Sequence, residues 1–198
     1  MQVAVLTFNG FNELDSFVSA AMLNHVKSQG VNAWITSPTA SVTSMNGLVV
    51  NAQKPLSFAT QADAVIIGSG IHTRTIVQDT AIIESLTLDP QRQIIASQCS
   101  GALVLAKLGF LQNLPACTDL TSRPFVQEQG IQVLDQPFFV SGNIASAGGC
   151  MASQYLAAWL ICKALGPEAA RDTVEYIAPV GHKRAYTEQI MSVVETFL

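Results

Sequence analysis

Charge is scarce in this chain. Lys, Arg, Asp and Glu make up 12% of its 198 residues, about half the ~25% usual in globular domains. Hydrophobic residues reach 49%. That balance implies a compact globule able to hide further surface in a homo-oligomer. The net charge is −4 and Lys and Arg form no cluster, so the basic footprint of a nucleic-acid-binding protein is missing. Long apolar runs are absent too. The run from Tyr155 to Cys162 stops at Lys163, far short of the ~20 residues that span a bilayer. The four cysteines (99, 117, 150 and 162) contain no CxxC pair and have no His at zinc-like spacing, so neither a metal site nor a disulfide framework is expected. No basic leader or small-residue cleavage site follows Met1-Gln2-Val3, and a reduced, cytoplasmic protein is the expectation. With no internal repeat, low-complexity segment or linker, residues 1–198 read as a single domain.

What is present is an alternation of buried strands and helices. Val3–Phe8 is a continuous apolar run, the mark of a strand covered on both faces. Leu14, Phe17, Val18, Ala21, Met22 and Val26 follow at helical spacing, and Gly30 ends that stretch. Ala33–Thr36 is a second strand, and Asn46-Gly47 signals a hairpin between Val42-Thr43 and Leu48-Val49-Val50. Ala64–Ile67 is the next buried strand, and a helical stretch from about Thr75 to Leu88 leads to the run Gln93–Ala96. Phe138-Phe139-Val140 precedes a turn at Ser141-Gly142-Asn143, and Ala152–Leu165 is a long apolar helix closed by Gly166-Pro167. The pattern predicts an α/β fold, a doubly wound and mostly parallel sheet sandwiched by helices.

Ser97-Gln98-Cys99-Ser100-Gly101 lies between an apolar strand and the helical Ala102–Leu108. Small-x-Cys-x-Gly at such a junction is the pattern of a nucleophile elbow with sulfur in place of oxygen. The turn aims Cys99 out of the sheet and leaves the Ser100 amide free for an oxyanion. A helix N-terminus beneath the thiol is expected to favour thiolate. Ligands of such sheets sit outside the carboxyl ends of the strands, where two further loops carry candidates. Gly68-Ser69-Gly70 lacks the third glycine of a dinucleotide fingerprint, so no nucleotide cofactor is expected; it either turns the chain or adds an oxyanion donor at Gly70. Glu13-Leu14-Asp15 offers Asp15 as a helix cap, as an acid facing the cleft, or as both. His72, after the glycine loop, is a further candidate for the same edge. Cys117, Cys150, Cys162, Met151 and Trp159 read as core.

These pieces together resemble the ThiJ/PfpI superfamily, whose fold is flavodoxin-like. The matching segments are Val3–Phe8, Glu13-Leu14-Asp15, Ile66–Gly70, Ser97–Ala102, Leu111–Thr118 and Gly142–Gly149. They occur in the family's order and span nearly the whole chain. Leu-Asp after the first strand and Cys-Ser at the elbow look most like the isocyanide hydratases and the sensing domains of AraC-type regulators. The resemblance implies Cys99 as nucleophile, Asp15 as its acid partner, Ser100 as the accompanying hydroxyl and the Gly70 amide as oxyanion donor. It also implies a homodimer acting on a small-molecule electrophile. Two departures bear on activity. Peptidases of the superfamily carry His directly after the Cys, and Ser100 stands there instead, which argues against a protease. Many members have a His about twenty residues beyond the nucleophile, where this chain has Cys117-Thr118-Asp119; Asp119 near Cys99 would raise the thiol pKa. The function expected is a cysteine-dependent hydratase or hydrolase resembling isocyanide hydratase. The alternatives are a redox-sensing stress-response protein working through Cys99, and a glyoxalase or deglycase.

Overall fold

The computed structural model describes all residues from Met1 to Leu198. The elements are β1 (Gln2–Leu6), α1 (Glu13–His25), β2 (Asn32–Ser37), β3 (Ser41–Thr43), β4 (Val49–Asn51), β5 (Lys54–Pro55), β6 (Ala64–Ile67), α2 (Thr73–Ile76), α3 (Thr80–Ser85), β7 (Ile94–Gln98) and α4 (Gly101–Lys107). They continue with α5 (Arg123–Gln127), β8 (Phe138–Ser141), β9 (Ile144–Ala147), α6 (Ser153–Leu165), α7 (Pro167–Ile177) and α8 (Lys183–Val194). Seven strands form one sheet in the order β5-β2-β1-β6-β7-β9-β8. Every pairing in it is parallel except β8 with β9. This is the doubly wound, flavodoxin-like architecture expected from the sequence.

The apolar runs explain the layering. Side chains alternate across a strand, so Val3, Val5, Ala64, Ile66, Ile94 and Ala96 enter one core while Ala4, Leu6, Val65, Ile67 and Ile95 enter the other. The first core is closed by α1, α6, α7 and α8, with Trp159 buried against Phe138. The second lies under α4 and the 3-10 segment Leu56–Thr60. The chain reverses direction across the sheet between β1 and β6, so the loops after β1, β6 and β7 gather at one crevice. No helix is long and apolar enough to cross a membrane.

Several local expectations change. The stretch 75–88 is two short helices, because Asp79 leaves helical geometry and caps α3 through Ile82 N–H. Helix α1 is capped by Asn12, whose Oδ1 accepts from the Leu14 amide at 3.0 Å, so Asp15 is not its cap. The turn at 141–143 joins β8 to β9, a strand of small residues that pairs with β7. Gly166-Pro167 starts α7 as well as ending α6, and the segment holding Lys183 and Arg184 is the start of α8.

Candidate active site

Cys99 sits at the end of β7 with φ +47°, a left-handed conformation that costs a non-glycine residue about 1–2 kcal/mol. Three contacts hold it there. Its amide donates to the Ala147 carbonyl of β9 at 2.8 Å, and its own carbonyl accepts from Thr118 Oγ1 at 2.8 Å. Gly101 supplies the third, since a Cβ there would lie 2.3 Å from the Ile67 carbonyl oxygen. The elbow is pressed against β6, and only glycine lets it approach so closely. The Ser100 amide donates to no protein acceptor, which leaves it available to an oxyanion.

Asp15 comes to the thiol from the first turn of α1 and is fully buried. One carboxylate oxygen accepts a short hydrogen bond from Ser69 Oγ. The other, Oδ1, has no hydrogen bond of good geometry. A ligand atom each from Asp15, Cys99 and Cys150 lie within 4.8 Å of one another. This trio of donors could hold a metal ion, a grouping that cysteine spacing along the chain does not reveal. It also corrects the reading of Cys150 as core: its side chain is half-buried and lines the crevice. Its neighbour Met151 is not core either, at 53% exposure. Trp159, Cys117 and Cys162 are buried as expected.

Ser100 and Gly70 meet, though not as open donors. The Gly70 amide donates to Ser100 Oγ at 3.1 Å, Ser100 Oγ shares a hydrogen bond with Thr73 Oγ1 at 2.8 Å, and Thr73 Oγ1 reaches the Gly70 carbonyl at 2.9 Å. An oxyanion would have to draw the Gly70 amide away from that hydroxyl. Asp119 lines the crevice while its Oδ1 accepts from the Ser122 amide at 2.9 Å. His72 is exposed, is absent from the crevice wall and leans over Gly10. The structure does not bring it to Cys99.

The crevice holds about 550 Å³, with Met45, Ile71, Leu103 and Phe125 as apolar walls and Arg74 stacked on Phe125 at 4.4 Å. Two residues shape the thiols without having stood out in the sequence. Gln98 Nε2 donates to the Gly149 carbonyl at 3.0 Å and approaches Cys99 Sγ at 3.7 Å. Asn12 Nδ2 donates to Cys150 Sγ at 3.2 Å. An Asn just before an acidic helix start signals a cap; nothing local signals its contact with a residue 138 positions on.

Electrostatics overturn the expectation of a readily ionised Cys99. Burial pushes its thiol well above the ordinary range, and the charges of Asp15 and Asp119 push it further. A helix terminus contributes about 0.3–1 kcal/mol, rarely 2, which is too little to offset burial beside two carboxylates. Asp15 is itself raised by burial, against the lowering effect of Ser69 and the two thiols. Both groups therefore hold protons more tightly than they would in water.

The model of the DJ-1/PfpI family matches residues 1–162. The chain belongs to the DJ-1/PfpI family. A curated deglycase of Thermococcus kodakarensis is 24% identical over 153 residues, covering 74% of this chain and 89% of that protein. DJ-1 of Schizosaccharomyces pombe superposes with a TM-score of 0.76 at 16% identity, covering 90% of this chain and 100% of that one. A DJ-1 superfamily protein of Salmonella typhimurium, solved as a cysteine-to-alanine mutant, gives a TM-score of 0.77 at 24% identity over 89% of this chain and 97% of that one. These structural likenesses establish the fold.

Proposed function

We propose that this family member is a cysteine-dependent hydratase of small electrophiles, of the kind that converts an isocyanide to an N-substituted formamide. The observation that supports it is the pairing of Cys99 with a buried Asp15 whose carboxyl burial pushes above its ordinary pKa. Two acids with raised pKa values and one shared proton titrate as a unit. The microstate with Asp15 protonated and Cys99 ionised contains both the nucleophile and the acid that the first step needs. Cys99 Sγ bonds to the terminal isocyanide carbon as Asp15 delivers its proton to that same carbon, giving a thioimidate. The Asp15 carboxylate then takes a proton from water as the water oxygen adds to the carbon. The tetrahedral adduct collapses with cleavage of the C–S bond and protonation of nitrogen, and the second water proton restores the starting pair. The Ser100 amide, free of any protein acceptor, is available to stabilise negative charge on the tetrahedral adduct. The apolar walls suit a hydrocarbon substituent, and the chemistry asks for no histidine.

The assay is hydration of cyclohexyl isocyanide, followed as N-cyclohexylformamide. Turnover by the wild-type protein and a loss of at least about 10³-fold in Cys99→Ala are expected. Equal rates in both, or no turnover by either, would sink the reading for this substrate. A second reading, deglycase activity, is favoured by the Thermococcus relative. Release of amines from methylglyoxal adducts, lost in Cys99→Ala and unaccompanied by isocyanide turnover, would put that reading first. The absence of the family's histidine near the crevice weighs against it.

A further inference from the structure

The hydration above leaves one reactive group unused. Cys150 Sγ lies within 4.8 Å of both Cys99 Sγ and the Asp15 carboxylate. It is oriented by Asn12 Nδ2, and it opens a short 3-10 turn (Cys150–Ala152) rather than sitting inside a helix. A disulfide needs the sulfurs at about 2.05 Å, so the two must close by side-chain rotation, with Cys150 Sγ giving up its hydrogen bond from Asn12. Cys150 also lines a second cavity of about 540 Å³, walled by Tyr155, Tyr186 and Gln189, on which Cys99 does not open. One sulfur is thus reachable from the crevice and the other from two sides. Cys117 and Cys162 are each buried apart from this group.

We propose that Cys150 is a resolving thiol for Cys99, making the site a two-cysteine centre that reduces hydroperoxides and holds the oxidising equivalents as a Cys99–Cys150 disulfide. It rests on Cys99 being the nucleophile, as the hydration reading does. The Cys99 thiolate attacks the terminal oxygen of ROOH, the O–O bond breaks, and ROH leaves with the proton of Asp15. Cys99 is now a sulfenic acid, oxidised by two electrons. Cys150 attacks that sulfur, the S–O bond breaks, and water leaves with the Cys150 proton. A small external dithiol then enters by the second cavity and attacks Cys150 Sγ, expelling Cys99 as thiolate. Its second thiol closes on the first, which frees Cys150 and returns two electrons. Unpartnered Asp15 Oδ1, fully buried beside both sulfurs, is placed to move the proton in the first and third steps.

The test treats the fully reduced full-length protein with hydrogen peroxide in the presence of EDTA. Free thiols are then blocked with N-ethylmaleimide, and intact and peptide masses are read. The wild type should carry two N-ethylmaleimide adducts fewer than the reduced protein blocked the same way, with the Cys99 and Cys150 peptides joined by a bond that makes the unlabelled pair about 2 Da lighter, and dithiothreitol should reverse it. Cys150→Ser, and the smaller Cys150→Ala as a check on folding, should instead gain about 32 Da at Cys99, past recovery by dithiothreitol. A wild type that gains oxygen at Cys99 while Cys150 stays open to N-ethylmaleimide overturns the resolving role and leaves Cys99 standing as nucleophile. A Cys99 that resists peroxide in all three proteins overturns the peroxide-reducing centre, while isocyanide turnover in the same preparations decides the hydration reading separately.

Discussion

Asp15 is costly to keep as a carboxylate. It is fully buried, one of its oxygens has no good partner, and burial raises its pKa above the ordinary 3.8. A folded-state pKa above the unfolded value means that the native protein binds the proton more tightly. The stability this lends is complete below pH 3.8 and is lost as pH rises through the folded pKa. At neutral pH the residue is therefore a net burden to the fold, as the acid of the proposed hydration would be. Asp15→Asn keeps the acceptor for Ser69 and offers N–H donors to the thiols. It should stabilise the protein by about 1–3 kcal/mol at pH 7, the cost of an unsatisfied buried polar group, while abolishing turnover. The gain should shrink towards zero well below pH 3.8, where the wild-type carboxyl is protonated in both states. Urea denaturation at the two pH values measures this, and an Asn variant less stable than wild type at pH 7 would mean that Asp15 holds the fold together.

At the scale of elements, the elbow depends on α4 lying directly on β6. A Cβ at residue 101 would meet the Ile67 carbonyl oxygen at 2.3 Å and the Gly68 carbonyl oxygen at 3.1 Å, both backbone atoms that cannot swing aside. Gly101→Ala should cost about 3 kcal/mol or more and slow iodoacetamide labelling of Cys99, since the strand–helix turn must open to admit the methyl. Unchanged stability with unchanged labelling would show that the turn is slack. The elbow was legible in the sequence because the rule that makes it is local: a strand, a small residue, a nucleophile, a glycine. The runs Val3–Phe8 and Ala64–Ile67 were legible for a related reason, since burial on both faces leaves an unbroken apolar signature. Strand β9 was not, because Ala145, Ser146 and Ala147 are small and its identity comes from pairing with distant β7. The site split the same way. Cys99 follows β7 and Asp15 sits in the first turn of α1, two element ends that the topology must bring together. Cys150 follows the last strand in a turn of no regular pattern, and its place beside them exists only in three dimensions.

For the whole molecule, scarce charge changes what sets the response to pH. Its ion pairs, Arg123 with Asp135 and Arg171 with Glu188 and Glu195, lie at the surface, where such pairs contribute about 0–1 kcal/mol. The buried thiols matter more in alkali. Burial pushes Cys162 from 9.0 up to about 11 and Cys117 up to about 12, and Cys99 further still. In the unfolded chain all three ionise near the ordinary value, so from about pH 9 upward the unfolded state sheds protons that the native state keeps. The stability associated with these groups is complete below pH 9 and is lost as pH rises towards their folded values. Each thiol contributes a slope approaching 1.4 kcal/mol per pH unit. The Tm should hold between pH 7 and 8.5 and fall steeply by pH 10. Replacing both Cys117 and Cys162 by Ala would lower the starting Tm by opening small cavities, yet flatten the alkaline decline. The slope is the deciding readout, because a cavity shifts the whole curve without tilting it. An equally steep fall in the double variant would assign the alkaline loss to other groups and leave the buried thiols without a part in it.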